Sequence, residues 1–368
     1  MAEIGIGVVG GGYMGKAHSV AMAAVGAVFD TPLRPRLEMI AASTDASAER
    51  YRAAYGFARG TGDWRVLVSD PAVEAVVCAT PQVHHRAIVE ACAAAGKPVL
   101  CEKPLGASLD DAMAMTRAVA DAGVVAQVGF NYVRTPATQF ARSLVADGTL
   151  GQVTFARIEM TEDFFADPDE WAWRAEGDPA GCLGDLAPHP INLMLTLMGP
   201  VDALSATLET VHPTRAGRAV TNDDQVQMML RFTSGSTGHL FASRTALGRK
   251  MGYAYDLYGT KGSLRFDGED QNSVHLYRAE GPEALRGFAR ILTGPEHPDY
   301  LPFCQGPGHG TGYGDQIVIE AKDFLRAIHA GQATFPTFED GLEVARVAEA
   351  ARRSHHSGGW ISMEDIPR

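Results

Sequence analysis

The sequence predicts an α/β protein: a doubly wound parallel sheet at the amino terminus, then an α/β region with a large open, mostly antiparallel sheet. Three observations predict it. Short apolar runs alternate with helix-spaced segments up to about residue 128. A glycine-rich turn joins the first apolar run to the first helical one. Beyond about residue 150 the apolar runs lengthen, alternate with polar residues and are punctuated by hairpin turns. Strands of four to seven apolar residues separated by helices imply a parallel sheet covered on both faces.

In chain order, IGIGVVG (4–10) is the first strand and YMGKAHSVAMAAV (13–25) the first helix. EMIAAST (38–44) is the second strand, followed by helical ASAERYRAAY. VEAVVCAT (73–80) and KPVLCEKP (97–104) are the third and fourth strands, with HHRAIVEACAAAG between them. SLDDAMAMTRAVADAG carries an N-cap at Ser108, acids in its first turn and a closing glycine. VVAQVGF (124–130) is the fifth strand. The later segments QVTFARIEM, ALSATLETV, DQVQMMLRF and YAYDLYG read as antiparallel strands, with turns at TSGSTG and GTKGS. Residues 279–315 read as loop, and two helices close the chain. The expected domains are 1–128 and 129–368.

Composition narrows the function. The chain has 368 residues, 46% of them hydrophobic and 21% charged, with a formal net charge of −12. That charge disfavours nucleic acid and anionic membrane, which need a basic face. No apolar run approaches the roughly 18 residues of a membrane span. The first residues lack a basic leader and cleavage site. The five cysteines include no CxxC and read as free thiols in a reducing compartment, so a cytoplasmic location is expected.

Gly10, Gly12 and Gly15 form G-x-G-x-x-G between a strand and a helix, with Tyr13 and Met14 inside the motif. In that context the glycines permit a tight turn and close approach of a pyrophosphate to a helix N-terminus. Asp45 follows the second strand, where a carboxylate accepts from the 2′-hydroxyl of NAD and repels the 2′-phosphate of NADP. It lies further from the motif than usual because GAVFDTPLRPRL lengthens the connection. NAD is therefore the expected cofactor. Lys103 follows the fourth strand, where ligands of open parallel sheets gather.

GCLGDLAPHPINL (181–193) places Asp185 four residues before His189, flanked by Pro188 and Pro190. Both prolines fit the first turn of a helix starting near 188, so Asp185 and His189 would converge through a turn, not along a helix face. By itself this stretch reads better as a helix entry whose histidine bonds the main chain. Asp and His are also metal ligands, but no Cys/His cluster or acid at ligand spacing accompanies them, and no metal is expected.

The ordered motifs GVVGGGYMG, ATPQVHH, AGKPVLCEKPL, QVGFNYVRTPA, WAWRAE and GCLGDLAPH resemble those of the Gfo/Idh/MocA oxidoreductases, from about residue 4 to the carboxyl terminus. The resemblance implies a Rossmann domain and a second domain whose open sheet mediates dimers or tetramers, with a tetramer the first expectation. It implies hydride transfer between NAD(P) and a sugar or cyclitol hydroxyl. By position it assigns Lys103, Asp185 and His189 to catalysis. Thr80, Pro81, His85, Glu102, Lys103, Asn131, Trp173 and Arg174 join the glycine loop and Asp45 on the cofactor. Asn131 joins the catalytic residues on the substrate; beside the resemblance, Tyr132, Glu176 among the acids and aromatics of 161–176, and His309 in the loop 307–315 are expected to supply partners for ring hydroxyls. Asn192 stands where the family usually has an acid. Within the family the pattern is most similar to inositol dehydrogenases of the scyllo-inositol type, so a cyclitol is the first expectation and a sugar or anhydrosugar of the levoglucosan type the alternative. An enzyme that retains NAD without net redox change and an NAD-binding regulator remain as rivals.

Overall fold

The structure, a computed structural model, describes residues 2–368, without the side chain of Asp178. The chain divides into two compact units. One runs up to Arg134 and takes in Gly312–Glu343; the other comprises Thr135–Thr311 and Val344–Arg368.

The first unit begins β1 (Ala2–Val9), α1 (Tyr13–Val28), β2 (Leu33–Ala41), α2 (Asp45–Tyr55), β3 (Arg59–Thr61), α3 (Trp64–Ser69), β4 (Ala75–Cys78), α4 (His85–Ala94), β5 (Val99–Glu102), α5 (Leu109–Ala122) and β6 (Ala126–Gly129). Its strands pair in parallel in the order β3-β2-β1-β4-β5-β6. That order is the doubly wound dinucleotide-binding topology. Ile6, Val8, Val76, Val77 and Leu100 are wholly buried, as strands covered on both faces require. Local chemistry sets the helix ends. Thr44 caps α2 by accepting from the Ser47 N–H at 3.1 Å, and Ser108 caps α5 by accepting from Asp111 at the same distance. Gly56 and Gly123 end these helices in the left-handed conformation.

The second unit holds α6 (Pro136–Ala146), β7 (Val153–Thr161), α7 (Cys182–Asp185), α8 (Pro188–Met198), β8 (Val201–Glu209), β9 (Thr214–Arg215), β10 (Arg218–Ala219), β11 (Gln225–Phe232), β12 (Thr237–Ser243), β13 (Gly252–Gly259), β14 (Gly262–Asp267), β15 (Ser273–Arg278) and β16 (Ala289–Leu292). α9 (Tyr313–Ala330), α10 (Phe338–Ser357) and β17 (Ile361–Ser362) follow. The large sheet has the order β16-β15-β14-β13-β7-β12-β11-β8-β17. Its pairs are antiparallel except β7 with β12. In β11 buried and exposed residues alternate, so one face is covered and one is not. α8 lies against β7 and β12, and α6 against β14 and β15.

Three differences from the sequence expectation have physical causes. The first sheet has six strands, because three-residue β3 is too short to leave a periodic signal. β2 starts at Leu33, so part of the segment read as a lengthened loop is strand paired to β1. β16 lies in the Gly/Pro-rich stretch read as loop and completes the sheet edge. The division also differs from a single cut between 128 and 129. α9 returns to the first unit, where Gln316 accepts from the Asn131 amide at 2.9 Å and Tyr313 stacks on Tyr13. Helical periodicity shows that α9 has an apolar face but not which layer covers it. Among the described residues no helix is long and apolar enough to cross a membrane.

Candidate active site

In the first unit the candidate residues follow the carboxyl ends of the parallel strands: Gly10 and Gly12 after β1, Asp45 after β2, Thr80 and Pro81 after β4, Lys103 after β5 and Asn131 after β6. Ligands collect at that edge of such sheets. The three glycines have separate reasons. Gly10 has φ +103°, and a Cβ there would stand 2.4 Å from the Ala79 carbonyl oxygen. At Gly15 a Cβ would stand 1.9 Å from the Gly10 carbonyl oxygen, so this glycine lets α1 close on the strand. At Gly12 a Cβ would meet nothing within 4 Å. Gly12 caps α1 with no side chain, so the helix N-terminus presents bare N–H groups to that space. A cradle open at this one glycine and closed at the other two fits a pyrophosphate. Asp45 is exposed at the start of α2, and its Oδ1 accepts from the Gly62 N–H at 2.6 Å.

Several residues assigned to the cofactor lie beneath this edge and organise it. His85 is wholly buried; its Nε2 lies 2.9 Å from the Thr80 carbonyl oxygen and its Nδ1 3.1 Å from that of Pro104. Placed so, it fastens the loop after β4 to the loop after β5 and presents no face to a ligand. Glu102 is buried too: Oε1 accepts from His18 Nε2 at 2.8 Å and Oε2 from the Lys103 N–H at 3.2 Å. Asn131 is turned inward onto Gln316. Tyr13 is exposed and stacks on Tyr313, which also lies beside Tyr132, and the Tyr313 hydroxyl donates to Met14 Sδ at 3.2 Å. Burial holds the Tyr313 hydroxyl far above its ordinary pKa.

A charged cluster that the sequence did not single out lies behind Glu102. Glu320, from α9, is buried near His18 and Glu102, with Arg134 Nε 3.6 Å from its Oε1. Neither carboxyl oxygen has a hydrogen-bond partner among the described residues. Burial pushes Glu320 up to about 7 against the pull of the Arg134 and His18 charges. Burial lowers His18, but the Glu102 hydrogen bond and the charges of Glu102 and Glu320 outweigh it, and its pKa is raised. Only the fold brings residues 18, 102, 134 and 320 together, so no spacing rule reveals them.

Cys78, His85 and Cys101 also converge, with ligand atoms within 4.8 Å of one another. Sequence spacing hid this group because β4, α4 and β5 each supply one member. Both His85 nitrogens lie within hydrogen-bond distance of carbonyl oxygens, to one of which a neutral ring can donate, and all three members of the group are buried.

In the second unit GCLGD folds as the four-residue α7, and α8 starts at Pro188 with Pro190 in its first turn. Asp185 thus ends one helix and His189 begins the next, as the prolines predict. The glycines admit close neighbours: a Cβ at Gly181 would stand 2.2 Å from Asp223 Oδ1, and one at Gly184 2.4 Å from the Pro179 carbonyl oxygen. His189 is buried at the entry of α8. Asn192, one turn on, is buried, and its Oδ1 has no partner among the described residues. Arg174 Nε donates to Asp185 Oδ2 at 2.8 Å, an arrangement the cofactor assignment of Arg174 did not foresee. The Arg174 guanidinium also lies 4.5 Å from the half-exposed Trp173 ring. Glu176 is exposed; exposed His309 places Nδ1 3.2 Å from Cys304 Sγ. A concavity of about 440 Å³ elsewhere in this unit, on the face of β7, β13, β14 and β15, is lined by Arg157, Asp256, Arg265, His275 and Phe288. None of these is a candidate site residue.

Comparison with known proteins gives two family matches. Residues 4–130 match the oxidoreductase family with NAD-binding Rossmann fold, and residues 138–265 match the GFO/IDH/MocA C-terminal domain. Levoglucosan dehydrogenase of Pseudarthrobacter phenanthrenivorans is 35% identical over the full length of both chains. Inositol 2-dehydrogenase of Rhizobium meliloti is 29% identical over 97% of this chain and 98% of its own. A solved structure of levoglucosan dehydrogenase in complex with NADH and levoglucosan superposes with a TM-score of 0.95 at 36% identity, covering 98% of this chain and 99% of that one.

Proposed function

The chain belongs to the GFO/IDH/MocA oxidoreductases, and on that premise we propose that it oxidises a ring hydroxyl of a sugar or anhydrosugar of the levoglucosan type, with NAD as acceptor. The observation that carries the substrate class is the full-length 35% identity to levoglucosan dehydrogenase. The two substrate classes expected from the sequence thereby change order. The cyclitol comes second, supported by an inositol dehydrogenase at 29% identity.

Bound NAD supplies the hydride acceptor. The protein must remove the hydroxyl proton as the C–H bond breaks, hold the hydroxyl and stabilise the charge that develops on oxygen. His189 is proposed as the base: an imidazole ordinarily titrates near pH 6.5, suited to taking a proton at neutrality. Asp185, held by Arg174, is proposed to orient the base or bind a neighbouring hydroxyl. Lys103 is proposed to donate to the reacting oxygen and stabilise its charge. Gly10, Gly12 and Asp45 are proposed to seat the pyrophosphate and adenosine ribose. Tyr13, Met14, Thr80 and Pro81 would border the same cofactor, and Tyr132, Glu176 and His309 the sugar. A homo-oligomer is proposed through the uncovered face of the large sheet, where Phe155 and Tyr258 are exposed among the Arg157, Asp256 and Arg265 ion pairs.

The test is NADH formation by the purified protein with levoglucosan, glucose isomers, scyllo-inositol and myo-inositol. Turnover of levoglucosan, lost by roughly 10²–10⁴-fold in His189→Ala while NAD still binds, is the expected result. Turnover confined to an inositol would restore the cyclitol reading. Cofactor retained with no turnover would favour a non-redox enzyme or a regulator.

A further inference from the structure

Against the chain that leads into α7 the second unit buries two arginine side chains. Arg215 and Arg244 are both wholly buried, and both donate to one oxygen, Asp224 Oδ1, at 3.1 and 2.9 Å. The Phe165 ring lies near both guanidinium groups, at 3.8 and 4.7 Å. Asp224 takes one bond from each guanidinium, so main-chain carbonyls must accept from their other buried N–H groups. Arg244 Nη1 donates to the Arg174 and Ala180 carbonyls at 2.7 and 3.0 Å. Arg215 Nη1 donates to the Asp167 carbonyl at 2.9 Å. These carbonyls belong to the irregular chain that leads into α7.

Asn222 completes the attachment. Its Oδ1 accepts from Arg244 Nη2 at 2.8 Å, and its Nδ2 donates to the Arg174 and Gly177 carbonyls at 2.9 Å each. The next residue holds the other end of the segment. The Asp223 carbonyl accepts from the Cys182 N–H at 2.9 Å, and Asp223 Oδ2 accepts from the Leu183 N–H at 2.7 Å. Residues 174–183 are thus fastened at both ends to Asn222 and Asp223. Arg174, whose main chain takes two of these bonds, carries the guanidinium that holds Asp185.

We propose that Asn222 and Arg244 are positioning residues, which fix the main chain at Arg174 so that its guanidinium orients the Asp185 carboxylate for the reaction. This rests on the catalytic reading of Asp185 given above. The chain of contacts is continuous: Arg244 and Asn222 to the Arg174 carbonyl, and the Arg174 side chain to Asp185. Asn222 acts on Asp185 through the main chain at Arg174.

The experiment is a double-mutant cycle of Asn222→Ala and Arg174→Ala in the full-length protein. It is read by kcat and KM for levoglucosan, by NAD affinity and by hydrogen exchange of residues 172–186. In the wild-type background Asn222→Ala should lower kcat/KM at least tenfold, leave NAD affinity within twofold and speed exchange of residues 175–185 at least tenfold. In the Arg174→Ala background the same change should cost less than threefold. A purely structural role for Asn222 would give the same loss in both backgrounds and overturn the proposal. So would unchanged exchange, a reading that needs no substrate. Asn222→Ser, smaller and still polar, repeats the test if the alanine variant does not fold. Asp185→Asn is the control: wild-type turnover in that variant would sink the reading of Asp185, whereas its loss together with an unaffected Asn222→Ala would sink only the inference.

Discussion

His18 Nε2 donates to Glu102 Oε1 at 2.8 Å with both side chains buried, joining the helix that follows the glycine loop to the strand that precedes Lys103. A buried charged pair stripped of one partner leaves an uncompensated group. His18→Ala should therefore destabilise the protein by about 3–5 kcal/mol, measured by urea unfolding near neutral pH. His18→Gln, which keeps a donor, should cost less. A loss below about 1 kcal/mol in the alanine variant would mean that Glu102 is neutral or resolvated there.

Glu320 predicts the direction of pH dependence. Its folded pKa, about 7, exceeds the ordinary 4.5, so between these values the folded state holds more proton than the unfolded one. Its contribution is fully present below pH 4.5 and is lost as pH rises through 7. His18, also raised, acts in the same sense: its contribution is present below pH 6.5 and lost above its folded pKa. Glu320→Gln should be stabilised relative to wild type by about 3 kcal/mol on going from pH 4.5 to pH 8. Removing the Glu320 charge also takes away one interaction that raises His18, so the variant loses less of the His18 contribution as pH rises, which acts in the same direction. Parallel stability–pH curves for the two proteins would refute the assignment.

The glycine loop predicts opposite outcomes for two similar changes. Gly15→Ala places a methyl 1.9 Å from the Gly10 carbonyl oxygen, so it should lower stability by roughly 2 kcal/mol or more. Gly12→Val meets open space, so stability should change by less than about 0.5 kcal/mol. NAD affinity should nonetheless fall at least tenfold, since the side chain occupies the approach of the pyrophosphate. Thermal unfolding and NAD titration of both variants separate the two effects.

Asp45 predicts cofactor choice. Losing a charged hydrogen bond to the ribose costs on the order of 1.5–3 kcal/mol, so Asp45→Ser should weaken NAD at least about tenfold. It should also improve NADP by removing the repulsion of its 2′-phosphate. Because Oδ1 also holds the Gly62 N–H, a small loss of stability should accompany the change. An unaltered NAD/NADP ratio would detach Asp45 from the ribose.

What was legible before folding was what rests on neighbours in sequence. G-x-G-x-x-G between a strand and a helix, the caps at Ser108 and Gly123, and the helix beginning at Pro188 all depend on residues within one or two turns. The short strand β3 and the edge strand β16 were not legible, because each is held by its partner strand and not by its own pattern. The burial of His85 was not legible either, because a motif position shows proximity to a ligand edge but not which way a side chain turns. The wholly buried ring fastens two loops.

By itself, then, the sequence determined the longer strands and helices and their order, the glycine loop and the helix start at Pro188, since local dihedral preference and periodicity operate over a few residues. Only the tertiary structure decided that α9 belongs to the first unit, that His18, Glu102 and Glu320 form one charged cluster, and that Arg174 lies on Asp185. Those contacts join residues far apart in the chain or on separate elements. They are chosen by desolvation and charge, which require every buried cation, carboxylate and carbonyl to find the best partner the fold brings within reach.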